Sequence, residues 1–147
     1  MATCKGSGRG ICFEVKRQIP ADLDGVEKFT LLVREALAKT CGHADAFAAE
    51  LVCREALVNA VRHGCRFDAA KTLSVAIRLR RDRVTLWVRD DGPGFDWRSR
   101  LKHVAELDDL SGRGLSIYQA CADRVRFRGH GNEVVLVKHF SKGETNE

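Results

Sequence analysis

Residues 55–64 read Glu55-Ala-Leu-Val-Asn59-Ala-Val-Arg-His63-Gly64, and this stretch decides the fold. Glu55, Asn59 and His63 stand four residues apart. At about 100° per residue they drift only about 40° per step, so they form one stripe along a helix. Phe47, Leu51, Cys53, Leu57, Val58 and Val61 cover much of the remaining circumference. A helix apolar nearly all round is mostly buried. A carboxylate and an amide in such surroundings need partners, because burying a bare polar group is costly. Two readings follow from these residues alone. In one, the stripe is the solvated face of an amphipathic helix, with a Glu55–Arg62 ion pair near its end. In the other it is a site. Asn59 then offers its carbonyl oxygen to a hard cation such as Mg2+, which takes few protein ligands and fills its shell with water and phosphate oxygens. Glu55, one turn earlier, then serves as a base or orients a water. A lone His63 is more often a packing or helix-end residue than a ligand.

Working outward, this helix is expected over residues 44–63, with Gly64 as its stop. Before it, Val26, Phe29, Val33, Ala36 and Leu37 recur at helical spacing within residues 21–40, with Asp22 as cap and Gly42 as stop. Earlier still, Ile11, Phe13, Val15 and Arg17 alternate with Cys12, Glu14 and Lys16 in a strand that ends at Pro20. After the helix, two strands over residues 73–79 and 84–88 are joined by Arg80-Arg81-Asp82-Arg83, which reads as a hairpin turn. A polar loop runs from Asp90 to Gly112, and a third helix is expected over residues 114–123. Two last strands, residues 125–128 and 133–140, are joined through Gly129-His130-Gly131-Asn132. Short connections imply antiparallel pairing. The expected fold is therefore a two-layer α/β sandwich, a mostly antiparallel sheet covered by helices on one face. Residues 1–10 read as a flexible leader, 11–140 as a single domain and 141–147 as a flexible tail.

Two glycine-containing boxes flank the long loop. Asp90-Asp91-Gly92-Pro93-Gly94 follows a strand directly. Val84, Leu86 and Val88 share one face by the period of two, and Asp90 continues that face while Asp91 points away. A carboxylate ending a core strand needs donors, for which an adenine amine or an ordered water would serve. Gly92 and Gly94 would let backbone approach a ligand closely; a plain turn is the simpler alternative. Ser111-Gly112-Arg113-Gly114 opens the third helix, where exposed N–H groups and glycines can form an anion-binding nest or merely a capped helix start. No GxxxxGK[ST] occurs, and no GxGxxG follows the first strand, which excludes a Walker loop and a dinucleotide fingerprint. Arg98, Arg100, Lys102 and His103 lie between the boxes, as a basic lid or a solvated charge run.

The chain has 147 residues, 44% hydrophobic and 31% charged, so it is neither a disordered tail nor a fibre. No apolar run of membrane-spanning length appears, and no signal-peptide segment, which sets the expectation of a cytoplasmic protein with no membrane partner. Six cysteines include no CxxC pair, against a zinc site and for a reduced compartment. The formal charge of +5 is a mild excess. A nucleic-acid surface made of Arg78, Arg80, Arg81, Arg83, Arg124, Arg126 and Arg128 is the lesser reading. Strand-edge arginines are usually solvated, and no row of aromatics accompanies these, so no direct nucleic-acid contact is expected.

Taken together, the three boxes resemble the N, G1 and G2 boxes of the GHKL ATPase/kinase superfamily, which has the Bergerat (HATPase) fold. The ExxxNAxxHG form and the SGRGL box are similar to the anti-sigma-factor serine kinases of bacterial partner-switching modules, and the resemblance covers residues 11–140. It implies that Glu55 is the catalytic base for a substrate serine, Asn59 the Mg2+ ligand and Asp90 the partner of the adenine amine. It also implies that Gly92, Gly94, Gly112 and Gly114 shape the ATP pocket and its lid. His63, Ser111 and Arg113 complete the expected nucleotide-binding set. The implied partners are a sigma factor, which is sequestered, and an anti-sigma antagonist with a STAS domain, which is phosphorylated on serine by Mg-ATP; a homodimer is implied too. The rival reading is a nucleotide-binding anti-sigma factor that acts mainly by sequestration with little kinase activity. A histidine kinase or a gyrase-type ATPase would need a dimerisation hairpin or a transducer domain, for which no residues are left.

Overall fold

The structure is a computed structural model that describes residues 10–66, 68, 70–90, 121–129 and 132–141. Strand β1 spans Ile11–Pro20, helix α1 Leu23–Ala38, and helix α2 His43–Asn59, which runs on as a π turn over Ala60–Gly64. Strands β2 (Thr72–Arg80), β3 (Arg83–Arg89), β4 (Arg124–Arg128) and β5 (Glu133–His139) complete the described elements. The expected leader falls outside the described residues except Gly10, as do the loop after Asp90, most of the third helix, and the tail beyond Ser141.

The sheet has the order β1-β2-β3-β5-β4, antiparallel throughout. The two-residue link Arg81-Asp82 makes the β2–β3 hairpin, and Val75↔Val88 and Ile77↔Leu86 set its register. That register places Leu73, Val75, Ile77, Leu79, Val84 and Leu86 on the helix-covered face, all buried. Full burial of each such side chain contributes about 1.5–3 kcal/mol, which makes this layer the main source of stability.

Asp22 caps α1 as expected, its carboxylate accepting from the Gly25 N–H at 2.7 Å. Val26, Phe29, Val33, Ala36 and Leu37, the stripe read from the sequence, are all buried. The stop differs from expectation. α1 ends at Ala38, where the N–H groups of Thr40 and Cys41 both donate to the Leu37 carbonyl, each at 3.0 Å. Gly42 instead sits before α2, in extended backbone that any residue could adopt. α2 is not buried all round either: Phe47 is 69% exposed, so one flank of this helix faces away from the core. Arg34–Glu50 and Arg54–Glu27 tie α1 to α2 across their outer surfaces.

The far end of α2 is fixed by the last strand. Asp45 is buried and accepts from the Ser141 N–H at 2.8 Å, with the Lys138 ammonium 3.8 Å away. Lys138 therefore reaches the helix layer from β5, and the strand cannot slide without losing both contacts. The opposite face of the sheet carries no helix among the described residues. Its rows run Glu14–Arg78–Thr85–Val137–Arg124, then Lys16–Ala76–Trp87–Val135–Arg126, then Gln18–Ser74–Arg89–Glu133–Arg128. Among the described residues no helix is long and apolar enough to cross a membrane.

Candidate active site

The stripe on α2 ends in an irregularity that the sequence pattern did not show. Through Asn59 the helix is regular; over Ala60–Gly64 it widens to a π turn, closed by the Cys65 N–H donating to the Ala60 carbonyl at 2.9 Å. The smaller angular step of a wider turn offsets the forward drift of the stripe, so His63 is kept near the line of Glu55 and Asn59. Single π turns of this kind are frequent at functional sites. Glu55, Asn59 and His63 are all half-buried, and Nε2 of His63 is turned inward. The chain leaves the turn through Arg66, which adopts a left-handed conformation at φ 51°.

Asp90 is where the parity argument put it. It follows Val84, Leu86 and Val88 on the covered face and is only 6% exposed. Its carboxylate lies against Gly64. A Cβ built on Gly64 would fall 2.5 Å from Oδ1 and closer still to Cγ and Oδ2, so only glycine leaves room for the acid. This contact joins the end of the α2 stripe to the end of β3. At about 1.5 Å per residue, Glu55 stands about 13 Å back along the same helix axis, with Asn59 between. Thus the structure brings Asp90, Gly64 and His63 to one end of the helix and leaves Asn59 and Glu55 on successive turns leading away.

Asn132 is a residue the sequence reading named only as part of a connection. Its backbone carbonyl accepts from the Asp90 N–H at 2.9 Å, and its side-chain Nδ2 donates to the Asp90 carbonyl at 3.1 Å. One residue thereby grips both backbone groups of Asp90 and fixes where β3 ends. The register Arg89↔Glu133 makes this grip possible, and Gly129, at φ 61°, supplies the turn beside Asn132. No sequence signal marks it, because the grip depends on which strand neighbours β3.

The chemistry of this end is acceptor-rich. A buried carboxylate and the carbonyl end of a helix both favour a ligand that presents N–H donors, as an adenine amine does. Among the described residues no three His, Cys, Asp or Glu side chains cluster as a metal cage. A cation at the Asn59 side-chain oxygen would take the rest of its shell from water and phosphate oxygens, as Mg2+ commonly does. The residues present therefore fit a Mg2+–adenine nucleotide. Gly92, Gly94, Ser111, Gly112, Arg113 and Gly114 lie outside the described residues, as do the basic residues between the two boxes.

Comparison with known proteins bears on the family and the fold. The sequence profile described as a histidine kinase-like ATPase domain matches residues 19–138. The serine-protein kinase RsbW of Bacillus subtilis is 29% identical over 98 residues, covering 61% of this chain and 61% of that protein. The RsbW of Bacillus licheniformis is 26% identical over 141 residues, covering 89% of this chain and 86% of that protein. The match to the Bacillus subtilis relative thus spans less than two thirds of its length. Among solved structures, that of the RsbU and RsbW domains of a Mycobacterium tuberculosis protein superposes with a TM-score of 0.59 at 20% identity, over 86% of this chain and 32% of that one. That likeness concerns the fold.

Proposed function

Because the chain belongs to the histidine kinase-like ATPase domain family, we propose that it is an anti-sigma factor and serine-protein kinase. It sequesters a sigma factor and phosphorylates a STAS-type antagonist on serine, using Mg-ATP, as a cytoplasmic homodimer. The observation that supports this reading best is the Asp90 carboxylate lying against Gly64, at the end of the helix that carries Asn59 and Glu55. It joins the two motifs that such chemistry needs in one place.

In this reading Asp90 accepts from the adenine amine and selects against guanine, whose corresponding position is a carbonyl. Asn59 holds the cation through its side-chain oxygen. Glu55 takes the proton from the substrate serine hydroxyl as its oxygen attacks the terminal phosphorus. Bound Mg-ATP supplies an electrophilic phosphoryl group with ADP as leaving group. Asn132 fixes the backbone of Asp90, and Gly64 leaves room for its carboxylate, before anything binds, which keeps the cost of ordering the site low.

The test is to incubate the chain with Mg2+, ATP labelled on its terminal phosphate and a candidate STAS antagonist, and then to look for phosphoserine. Glu55→Ala should remove the label from the antagonist and leave nucleotide affinity within about twofold. Label transfer that survives Glu55→Ala rejects the assignment of the base. Absence of nucleotide binding by the native chain rejects the whole reading. Nucleotide binding without transfer, together with capture of the sigma factor, selects the sequestration-only alternative.

A further inference from the structure

We propose that the outward row Phe47–Leu51 of α2, with Leu31 of α1 beside it, is where the protein substrate docks. It takes an apolar surface patch of a folded protein, next to the acceptor serine of that protein. The inference rests on the kinase reading and adds to it where the substrate lies.

The stripe that carries His63, Asn59 and Glu55 does not begin at Glu55. Four and eight residues earlier on the same helix stand Leu51 and Phe47. The drift of about 40° per step turns this row gradually about the helix axis. Phe47 is 69% exposed, whereas Leu51 and Glu55 are half-buried. The row is therefore a ramp about 12 Å long that descends from solvent to the proposed base. Its two ends have different tasks. Asp90 lies against Gly64 at the C-terminal end of the helix, where the purine is proposed to sit, and Asn59 stands between that end and Glu55. A hydroxyl that gives its proton to Glu55 then arrives from the other end, over Leu51 and Phe47.

Helix α1 widens the ramp into a surface. Arg34 meets Glu50 at 2.6 Å and Arg54 meets Glu27, which sets the two helices antiparallel with Leu31 level with Leu51. The same register puts Leu23 level with Val58, the half-buried neighbour of Glu55 three residues on. Packed helix axes lie about 8–10 Å apart, so one partner can cover both helices. Among the described residues the large apolar side chains that stand exposed are Leu23, Leu31 and Phe47, all three on this pair of helices.

Distance and charge select the occupant. A small hydroxyl compound would reach Glu55 without touching Phe47, two turns away; only a macromolecule spans both. The charges between the apolar levels are paired with one another, Arg34 with Glu50 and Arg54 with Glu27, so apolar contact selects the partner here. An apolar centre with a polar rim is the usual anatomy of a protein–protein contact.

The experiment uses the full chain and the STAS-domain protein that it phosphorylates, with transfer measured over a range of concentrations of that protein at saturating Mg-ATP. Phe47→Ser should raise KM for the protein substrate about tenfold or more, the loss expected on truncating a central aromatic contact. The kcat and the ATP affinity should stay within about twofold of native, because the contact is made equally before and during transfer. Phe47→Leu should bring KM back to within about threefold of native, and Leu31→Ser should raise it as Phe47→Ser does. The native melting temperature should be kept throughout, since both side chains are exposed. A native chain that neither binds nucleotide nor transfers phosphate rejects the kinase reading and this docking with it. A native chain that transfers phosphate, with KM unchanged in Phe47→Ser, overturns the docking alone. In that case dissociation of a native dimer by Phe47→Ser in sedimentation velocity assigns the face to a second copy, and loss of sigma-factor capture assigns it to the sequestered partner. A fall in ATP affinity that matches the rise in KM overturns the docking too, since it marks a merely structural role.

Discussion

Gly64→Ala isolates the contact on which the candidate site rests. The added methyl group would land on the Asp90 carboxylate, 2.5 Å from Oδ1 and nearer to the other two atoms. The acid has little room to retreat. Asn132 holds its backbone N–H at 2.9 Å and its carbonyl at 3.1 Å, and Val88, two residues back, is 2% exposed. Either the carboxylate rotates out of its position or the π turn moves outward. Overpacking of this kind costs about 1–3 kcal/mol. For a domain near this size each kcal/mol shifts the melting temperature by about 2–4 °C, so a drop of about 2–12 °C is expected. Adenine-nucleotide affinity should fall about tenfold or more, because the displaced acid is the proposed base-recognition group. The decisive measurement is a double-mutant cycle with Asp90→Ala. Removing the carboxylate should relieve the clash, leaving a coupling of about 1–2 kcal/mol between the two positions. If Gly64→Ala melts with the native chain, or costs as much without the carboxylate as with it, the argument from this contact is refuted.

Other expectations follow from the same framework. Asp90→Asn keeps the shape but swaps half of the acceptor capacity for donors; the preference for ATP over GTP in competition binding should shrink at least tenfold, and unchanged selectivity would remove Asp90 from base recognition. Asn132→Ala deletes the 3.1 Å bond to the Asp90 carbonyl and should cost about 1 kcal/mol in urea unfolding, with weaker nucleotide binding as well. Burial, reinforced by nearby Asp45, pushes the Cys41 thiol up to about 11 from 9.0. A raised value favours the neutral thiol in the folded chain. Its contribution to stability is therefore full below about pH 9 and lost as pH rises through about 11, and Cys41→Ser should flatten that stretch of the stability profile. Iodoacetamide should label Cys41 slowly at pH 8 and faster towards pH 11; fast labelling at pH 8 contradicts this environment.

Local periodicity carried much of the architecture. The alternation Val84, Leu86, Val88, Asp90 placed an acid inside from parity alone, and the α1 stripe marked its buried face because no single residue had to override the pattern. Where a feature depends on non-local pairing, the sequence is silent. Asn132 grips Asp90 only because β5 lies beside β3, an adjacency that local pattern cannot state. The π turn is hidden because Ala-Val-Arg-His-Gly suits an α-helix equally well. Gly42 misled because glycine after a helical stripe usually ends it, whereas here Thr40 and Cys41 close α1 first. The basic residues were read one strand at a time, and their shared face appears only when five strands are laid in register.

The wide turn at Ala60–Gly64 has a consequence for how such a cleft can change over time. It accommodates one residue more than an ordinary coil would over the same span. Losing a single position there would swing everything downstream by about 100°, carrying the bare flank of Gly64 away from the acid it shelters. A length change, and not a swap of side chains, is thus the shortest route by which a descendant of this chain could abandon the purine proposed for it.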